Sequence, residues 1–169
     1  INRDASAEYS TSVGSFGTMK HSVGVSTGLI KEKFAFDARL SKVSSDGFID
    51  RAASDLKSFF VSGGYFTANT ILKANVFSGL EDTYQAWYGI PSVRLNNDAD
   101  GMQRYLDHWL WSTSSERENQ IRYNDLINSD NRTYNLYTYE NEVDHYQQDH
   151  YQLLFSHKVN SVLNLNASL

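Results

Sequence analysis

The stretch Met19-Lys-His-Ser-Val-Gly-Val-Ser-Thr-Gly-Leu29 decides the fold. Its odd positions (Met19, His21, Val23, Val25, Thr27, Leu29) carry the larger and more apolar side chains, while Lys20, Ser22, Gly24, Ser26 and Gly28 are small or polar. Period two is the mark of a strand with one apolar and one polar face. Upstream, across Gly14–Thr18, the same rhythm runs through Ala7, Tyr9, Thr11 and Val13 against Glu8, Ser10 and Ser12. Downstream the phase shifts, so that Phe34, Phe36, Ala38 and Leu40 alternate with Ala35, Asp37, Arg39 and Ser41. At the far end Tyr151, Leu153, Phe155 and Val159 oppose Gln152, Ser156 and Lys158; then Leu163, Leu165, Ala167 and Leu169 oppose Asn164, Asn166 and Ser168. Residues 58–67 and 70–79 are strand-like in their β-branched and aromatic content. Both carry apolar residues at odd and even positions (Phe59 and Phe60, Val76 and Phe77), so alternation leaves their faces unassigned.

Composition narrows the function classes. The 169 residues suit about one domain. No apolar run is long enough for a transmembrane helix. With 15 Lys+Arg against 20 Asp+Glu, the basic footprint of a nucleic-acid binder is missing, and no nucleic-acid partner is expected. The absence of Cys excludes disulfides, thiolate metal sites and cysteine nucleophiles. An aromatic content of 14% argues against disorder.

The connectors fall into two classes. Leu29–Lys33, Ala68-Asn69 and Asn160-Ser161 read as tight turns, whereas Gly14–Thr18, 44–57 and 80–149 are the links at the opposite rim. One rim of short turns and one of mostly long loops, joined by strands of about ten residues, is the pattern of outer-membrane barrels. A soluble sandwich explains the alternation equally well, because its core face is also apolar. The rim asymmetry favours the membrane reading.

Several motifs carry a family resemblance. Ala7-Glu-Tyr-Ser-Thr-Ser-Val-Gly-Ser-Phe-Gly-Thr18 resembles the opening barrel hairpin of TonB-dependent outer-membrane receptors, and Phe36-Asp-Ala-Arg-Leu-Ser-Lys-Val-Ser-Ser-Asp-Gly-Phe-Ile-Asp-Arg51 is similar to their next strand and loop. Asp82-Thr-Tyr-Gln-Ala-Trp-Tyr-Gly-Ile-Pro91 and Tyr146-Gln-Gln-Asp-His-Tyr-Gln152 resemble a long loop of the Bacteroidetes-type receptors. The resemblance implies an all-β antiparallel up-and-down sheet forming part of a transmembrane β-barrel wall, with residues 80–149 as a long, partly helical extracellular loop. It further implies that residues 1–169 are the N-terminal portion of a barrel whose plug domain and remaining strands lie elsewhere in a parent chain. The implied setting is the bacterial outer membrane. The implied partners are that plug and barrel, outer-membrane lipid, the TonB complex through segments outside this chain, and a surface lipoprotein. The parent would import a siderophore, haem, cobalamin, a glycan or a peptide; a soluble all-β binding module with an aromatic loop is the rival reading.

Candidate sites follow from side-chain chemistry. Tyr84, Trp87, Tyr88, Trp109, Trp111 and Tyr137 fall in the long loop, where rigid aromatics can form a ligand platform. The same cluster could instead pack the loop against itself. Asp37 and Arg39 share one face of a strand and read as a polar face. Asn96-x-Asp98-x-Asp100-Gly101 superficially follows a calcium-loop spacing, but it opens a helical pattern running from Asp100 to Trp111 and suits a helix N-terminus. Ser115-Glu-Arg-Glu118 is a capping box opening a second helix toward Ile127. His145 and His150, five apart, would point to opposite faces of one strand. No catalytic residue, cofactor or metal site is expected.

Overall fold

The computed structural model describes residues 4–109 and 115–169, with the Trp109 side chain left aside. Seven strands form one antiparallel sheet in sequence order: β1 (Ser6–Val13), β2 (Met19–Ser26), β3 (Phe34–Ser45), β4 (Ser54–Phe66), β5 (Thr70–Tyr84), β6 (Val143–Lys158) and β7 (Asn164–Ser168). The sheet is up-and-down and open, with β1 and β7 at its two edges. Three helices, α1 (Ser92–Leu95), α2 (Ala99–Trp109) and α3 (Glu116–Asn128), lie between β5 and β6. The chain divides into two compact units. One comprises residues 1–44, 55–81 and 145–169; the other comprises 45–54 and 82–144.

In the sheet unit, tight turns are built by backbone conformations that the sequence permits. Lys31 and Glu32 both have positive φ (49° and 57°), the central pair of a primed turn in which the Lys33 N–H donates to the Ile30 carbonyl at 3.0 Å. The turn is closed by the Ile30–Phe34 bridge. β2 ends at Ser26 rather than Leu29, because Gly28 turns to a φ of 64°.

Registry assigns every face. Ala7 pairs with Val25, Tyr9 with Val23 and Thr11 with His21. Val25 then pairs with Ala38, Val23 with Leu40 and His21 with Lys42. On the next strands the faces follow from side-chain contacts: Phe34 with Tyr65, Phe60 with Phe77, Phe77 with His150, and Thr70 with His157. One face therefore carries Val23, Val25, Leu40, Phe59, Val61, Leu72, Tyr151, Leu153, Phe155 and Leu165, with His21, Lys42, Asp55 and Lys57 toward the long-loop end. The other carries Ser22, Ser26, Asp37, Arg39, Ser41, Ser58, Ser62, Asn75 and Gln152 among the apolar Val43, Leu56, Phe60, Ile71, Phe77 and Leu154. The two segments whose faces alternation left open are thereby placed, with Phe59 and Val61 on the apolar side.

Exposure on the two faces is inverted relative to a core. On the polar face Ser62 is 2% and Asn75 7% exposed, while on the apolar face Val61 is 48% and Leu72 40% exposed. Side chains crowd on the concave side of a curved sheet and splay on its convex side. The sheet thus curls around its polar face and turns its apolar face outward. Asn75 Nδ2 donates to Gln152 Oε1 at 3.1 Å within that concave layer.

The helical unit holds its own core: Met102, Leu106, Leu126, Tyr134 and Leu136, with Ile90, Val93, Tyr105 and Tyr123 packed against it. Asp98 caps α2, its Oδ1 accepting the Gly101 N–H at 2.9 Å, so the acid-rich stretch Asn96–Gly101 serves as a helix start. The Ser115–Glu118 capping box forms in both directions: Ser115 N–H to Glu118 Oε2 at 3.1 Å and Glu118 N–H to Ser115 Oγ at 3.4 Å. Gly47 sits at a φ of 80°, where a Cβ would come within 2.1 Å of the Ala52 carbonyl oxygen, so this turn requires glycine.

Candidate functional site

Two surfaces combine concavity or exposure with recognition chemistry. The first is in the helical unit. Arg51 donates Nη1 and Nη2 to the two Asp125 carboxylate oxygens (3.2 and 3.0 Å), Nη2 to the Asn135 carbonyl (2.9 Å) and Nε to the Tyr137 carbonyl (3.0 Å). Burial opposes the charge of this guanidinium, but the Asp125 carboxylate outweighs it and the Arg51 pKa is raised. The buried Asn135 side chain donates to the Asp50 and Gln85 carbonyls and accepts the Tyr137 N–H, fixing the 134–138 segment. Glu142 accepts from the Thr138 and Tyr139 N–H groups and pairs with Arg122 at 3.7 Å.

This scaffold presents part of the expected aromatic cluster. Tyr137 lies between Trp87 (edge-on, centroids 6.3 Å apart) and Tyr88 (5.8 Å). Trp87 is 72% exposed and so presents its indole to solvent beside Tyr137. Tyr84 is placed differently, since its hydroxyl donates to the Tyr139 carbonyl at 2.8 Å and serves the scaffold. Trp109 ends α2, with its side chain outside the described set, and Trp111 lies outside the described residues altogether. Burial pushes the Tyr134 phenol well above its ordinary pKa, consistent with a core position rather than a place on the platform.

The second surface is a trough on the concave face, running across β3 to β6. Its floor is the small-residue row Ser41, Ser58 and Gly79. One wall is the ladder Arg39, Phe60, Phe77 and His150, in which the Phe77 and His150 rings stack at 4.5 Å. The opposite wall is Val43, Leu56, Glu81 and Tyr146, and the cavity measures about 660 Å³. A Cβ at Gly79 would meet nothing within 4 Å, so the floor is open space. A cavity of this size with aromatic walls and a few charged groups has the dimensions of a small-ligand site.

The trough escaped sequence reading because its members come from four strands whose registry a one-dimensional pattern does not give. Asp37 and Arg39 do share the concave face, as their spacing predicts. His145 and His150 both lie on β6, five residues apart and hence on opposite faces. Among the described residues no group of three or more His, Asp or Glu side chains is placed to hold a metal ion. Comparisons with protein-family models, with curated proteins and with solved structures gave no match.

Proposed function

We propose that this chain is a stretch of the wall of an outer-membrane β-barrel, and that its parent is a TonB-dependent receptor importing a scarce nutrient. The observation that carries the wall assignment is the inverted burial: polar Ser62 and Asn75 on the concave face are buried while apolar Val61 and Leu72 on the convex face are exposed. A soluble sandwich buries its apolar face against a second layer, whereas a membrane barrel turns its apolar face to lipid and keeps a polar lumen.

On β4 the outward face runs Phe59, Val61, Gly63 and Tyr65, bounded by Lys57 and Thr67. This run of seven residues covers about 24 Å along the strand at roughly 3.4 Å each, with a polar residue at either end. The receptor assignment rests on the motifs quoted above. The helical unit would then lie outside the cell with Trp87, Tyr88 and Tyr137 meeting incoming substrate, and the concave trough would face the lumen.

Residues 1–169 hold no Cys, so in a parent cleared of any cysteine elsewhere, adjacent single-cysteine variants test the wall assignment. The full-length parent, reconstituted in phosphatidylcholine vesicles, would carry an environment-sensitive fluorophore at Leu40→Cys or at Ser41→Cys. The expected result is a blue-shifted Leu40 label quenched by brominated lipid and a Ser41 label open to an aqueous quencher. Equal behaviour at the two sites, or the reverse order, overturns the reading.

A further inference from the structure

A second cavity, about 390 Å³, lies on the convex apolar face and is lined by His21, Val23, Leu40, Lys42, Lys57, Phe59, Ser78 and Leu80. Its composition is graded along the strands. Val23, Leu40 and Phe59 form its apolar part, and His21, Lys42 and Lys57 stand one step nearer the long-loop rim. Ser78 is the reason for the depression: it is a small side chain among large ones on the same face. Lys42 and Lys57 reach Asp55 at 3.6 and 3.5 Å, and each lysine side chain keeps about half of its surface exposed (51% and 50%). His21, paired in register with Lys42, has the Tyr9 and Thr11 hydroxyls 2.9 and 3.0 Å from Nδ1. With those hydroxyls donating, Nε2 keeps the ring proton and can itself donate. Two further carboxylates fall on this face, Asp82 on β5 and Asp149 on β6, the latter accepting from Gln147.

We infer that this cleft is a site for one phosphate-bearing lipid, the acyl chain lying between Val23, Leu40, Phe59 and Leu80 and the phosphate held by Lys42, Lys57 and His21. The inference rests on the membrane reading proposed above. It goes beyond a lipid-facing wall in assigning one headgroup chemistry to one place. Two arguments select this occupant. The cleft is apolar along the part that the membrane reading places inside the hydrocarbon, where only a lipid tail is available to fill it. Its cationic end falls at the edge of the apolar band, where long lysine side chains reach headgroup depth and attract anionic lipid. Both ammonium groups meet the one Asp55 carboxylate, which gathers them at the same end of the cleft while each lysine side chain keeps about half of its surface exposed.

The test uses the full-length parent in detergent micelles doped with equal amounts of phosphatidylglycerol and phosphatidylcholine, with retained lipid read by native mass spectrometry. The wild-type protein should retain phosphatidylglycerol preferentially. Lys42→Gln with Lys57→Gln should reduce that preference about tenfold or more, each lysine near an anionic surface being worth about 1 kcal/mol. Lys42→Arg with Lys57→Arg should restore it. Asp55→Asn, which removes the competing carboxylate, should raise the preference, a gain that a damaged fold would not produce. Ser78→Leu should fill the depression and lower retention of both lipids. Equal retention of the two lipids by wild-type protein, or no response to the lysine and Asp55 variants, overturns the inference. Displacement of the lipid by millimolar inorganic phosphate would mark a bare anion site and overturn it as well. Failure of the protein to enter phosphatidylcholine vesicles at all would instead sink the membrane reading, so the two failures are distinguishable.

Discussion

Arg51 should be the residue on which the helical unit depends most. Its four hydrogen bonds join the 45–54 segment to α3 through Asp125 and to the 134–138 segment through two carbonyls. Replacement by Met keeps the side-chain stem and the positive φ of 66°, so neither packing nor backbone strain changes much. What is lost is the donor set. The two carbonyl bonds are worth about 0.5–1.5 kcal/mol each. The bidentate carboxylate pair would be worth more if fully buried, but the Arg51 and Asp125 side chains retain 34% and 23% of their exposure, so about 1 kcal/mol is the appropriate discounted value. The sum, about 2–4 kcal/mol, is a loss of roughly 30- to 900-fold in the folding equilibrium of this unit. The assay is built into the sequence, because all three tryptophans (Trp87, Trp109, Trp111) fall between residues 82 and 144. Urea titration followed by tryptophan fluorescence therefore reports this unit and not the sheet. Arg51→Met, Asp125→Asn and the double variant form a cycle whose coupling should be about 1 kcal/mol. A cost for Arg51→Met below about 0.5 kcal/mol, the range of an ordinary surface substitution, would refute the keystone role.

Other expectations follow from the same geometry. Val25→Arg, on the convex face, should destabilise the parent in bilayers by about 2–4 kcal/mol, and Ser26→Arg, on the concave face, by clearly less; folding titrations in lipid vesicles decide, and equal costs would contradict the face assignment. Trp87→Ala together with Tyr137→Ala should lower binding of the parent's substrate to intact cells at least tenfold while leaving urea stability within about 0.5 kcal/mol; unchanged uptake would remove the platform from substrate capture. The Glu118 carboxyl is held below its usual pKa by the Ser115 N–H. Its contribution to the α3 start is therefore present above the unfolded value of 4.5 and lost as pH falls through the lower folded value. The helix-type ¹³Cα shifts of Glu118 and Asn119 should decay on acidification in that window and stay flat in Glu118→Gln.

Side-chain alternation reveals a strand only where its two faces meet different surroundings. That is why β2 and β3 were legible from residues 19–29 and 34–41, and why the upper strand ends were not. β4 begins at Ser54, β5 runs to Tyr84 and β6 begins at Val143, so the 80–149 connector shortens to 85–142. Near these ends both faces are polar, as Glu81, Asp82 and Thr83 show, and period two vanishes although backbone pairing continues. Helix signals behaved differently because they are local. Ser115 and Glu118 satisfy each other's N–H groups within one turn, and Asp98 caps within three residues. Arg51 and Asp125 lie 74 positions apart, and the trough and the convex cleft each draw on at least four strands. No local pattern encodes such gatherings, since they depend on which strand sits beside which and in what register.

The two free edges of the sheet bear on the membrane reading more sharply than either face. β1 and β7 each leave one side of the backbone without a strand partner. In water an exposed edge invites pairing with another chain, and the usual protections are inward charges, proline or a covering loop. β1 offers Glu8 as its one charged residue and no proline, and β7, Asn164–Ser168, offers neither. In hydrocarbon the same unpaired N–H and C=O groups would cost several kcal/mol apiece, which is why only closed barrels span membranes with strands. Under the membrane reading proposed above, both edges would need strand partners wherever the convex face met lipid.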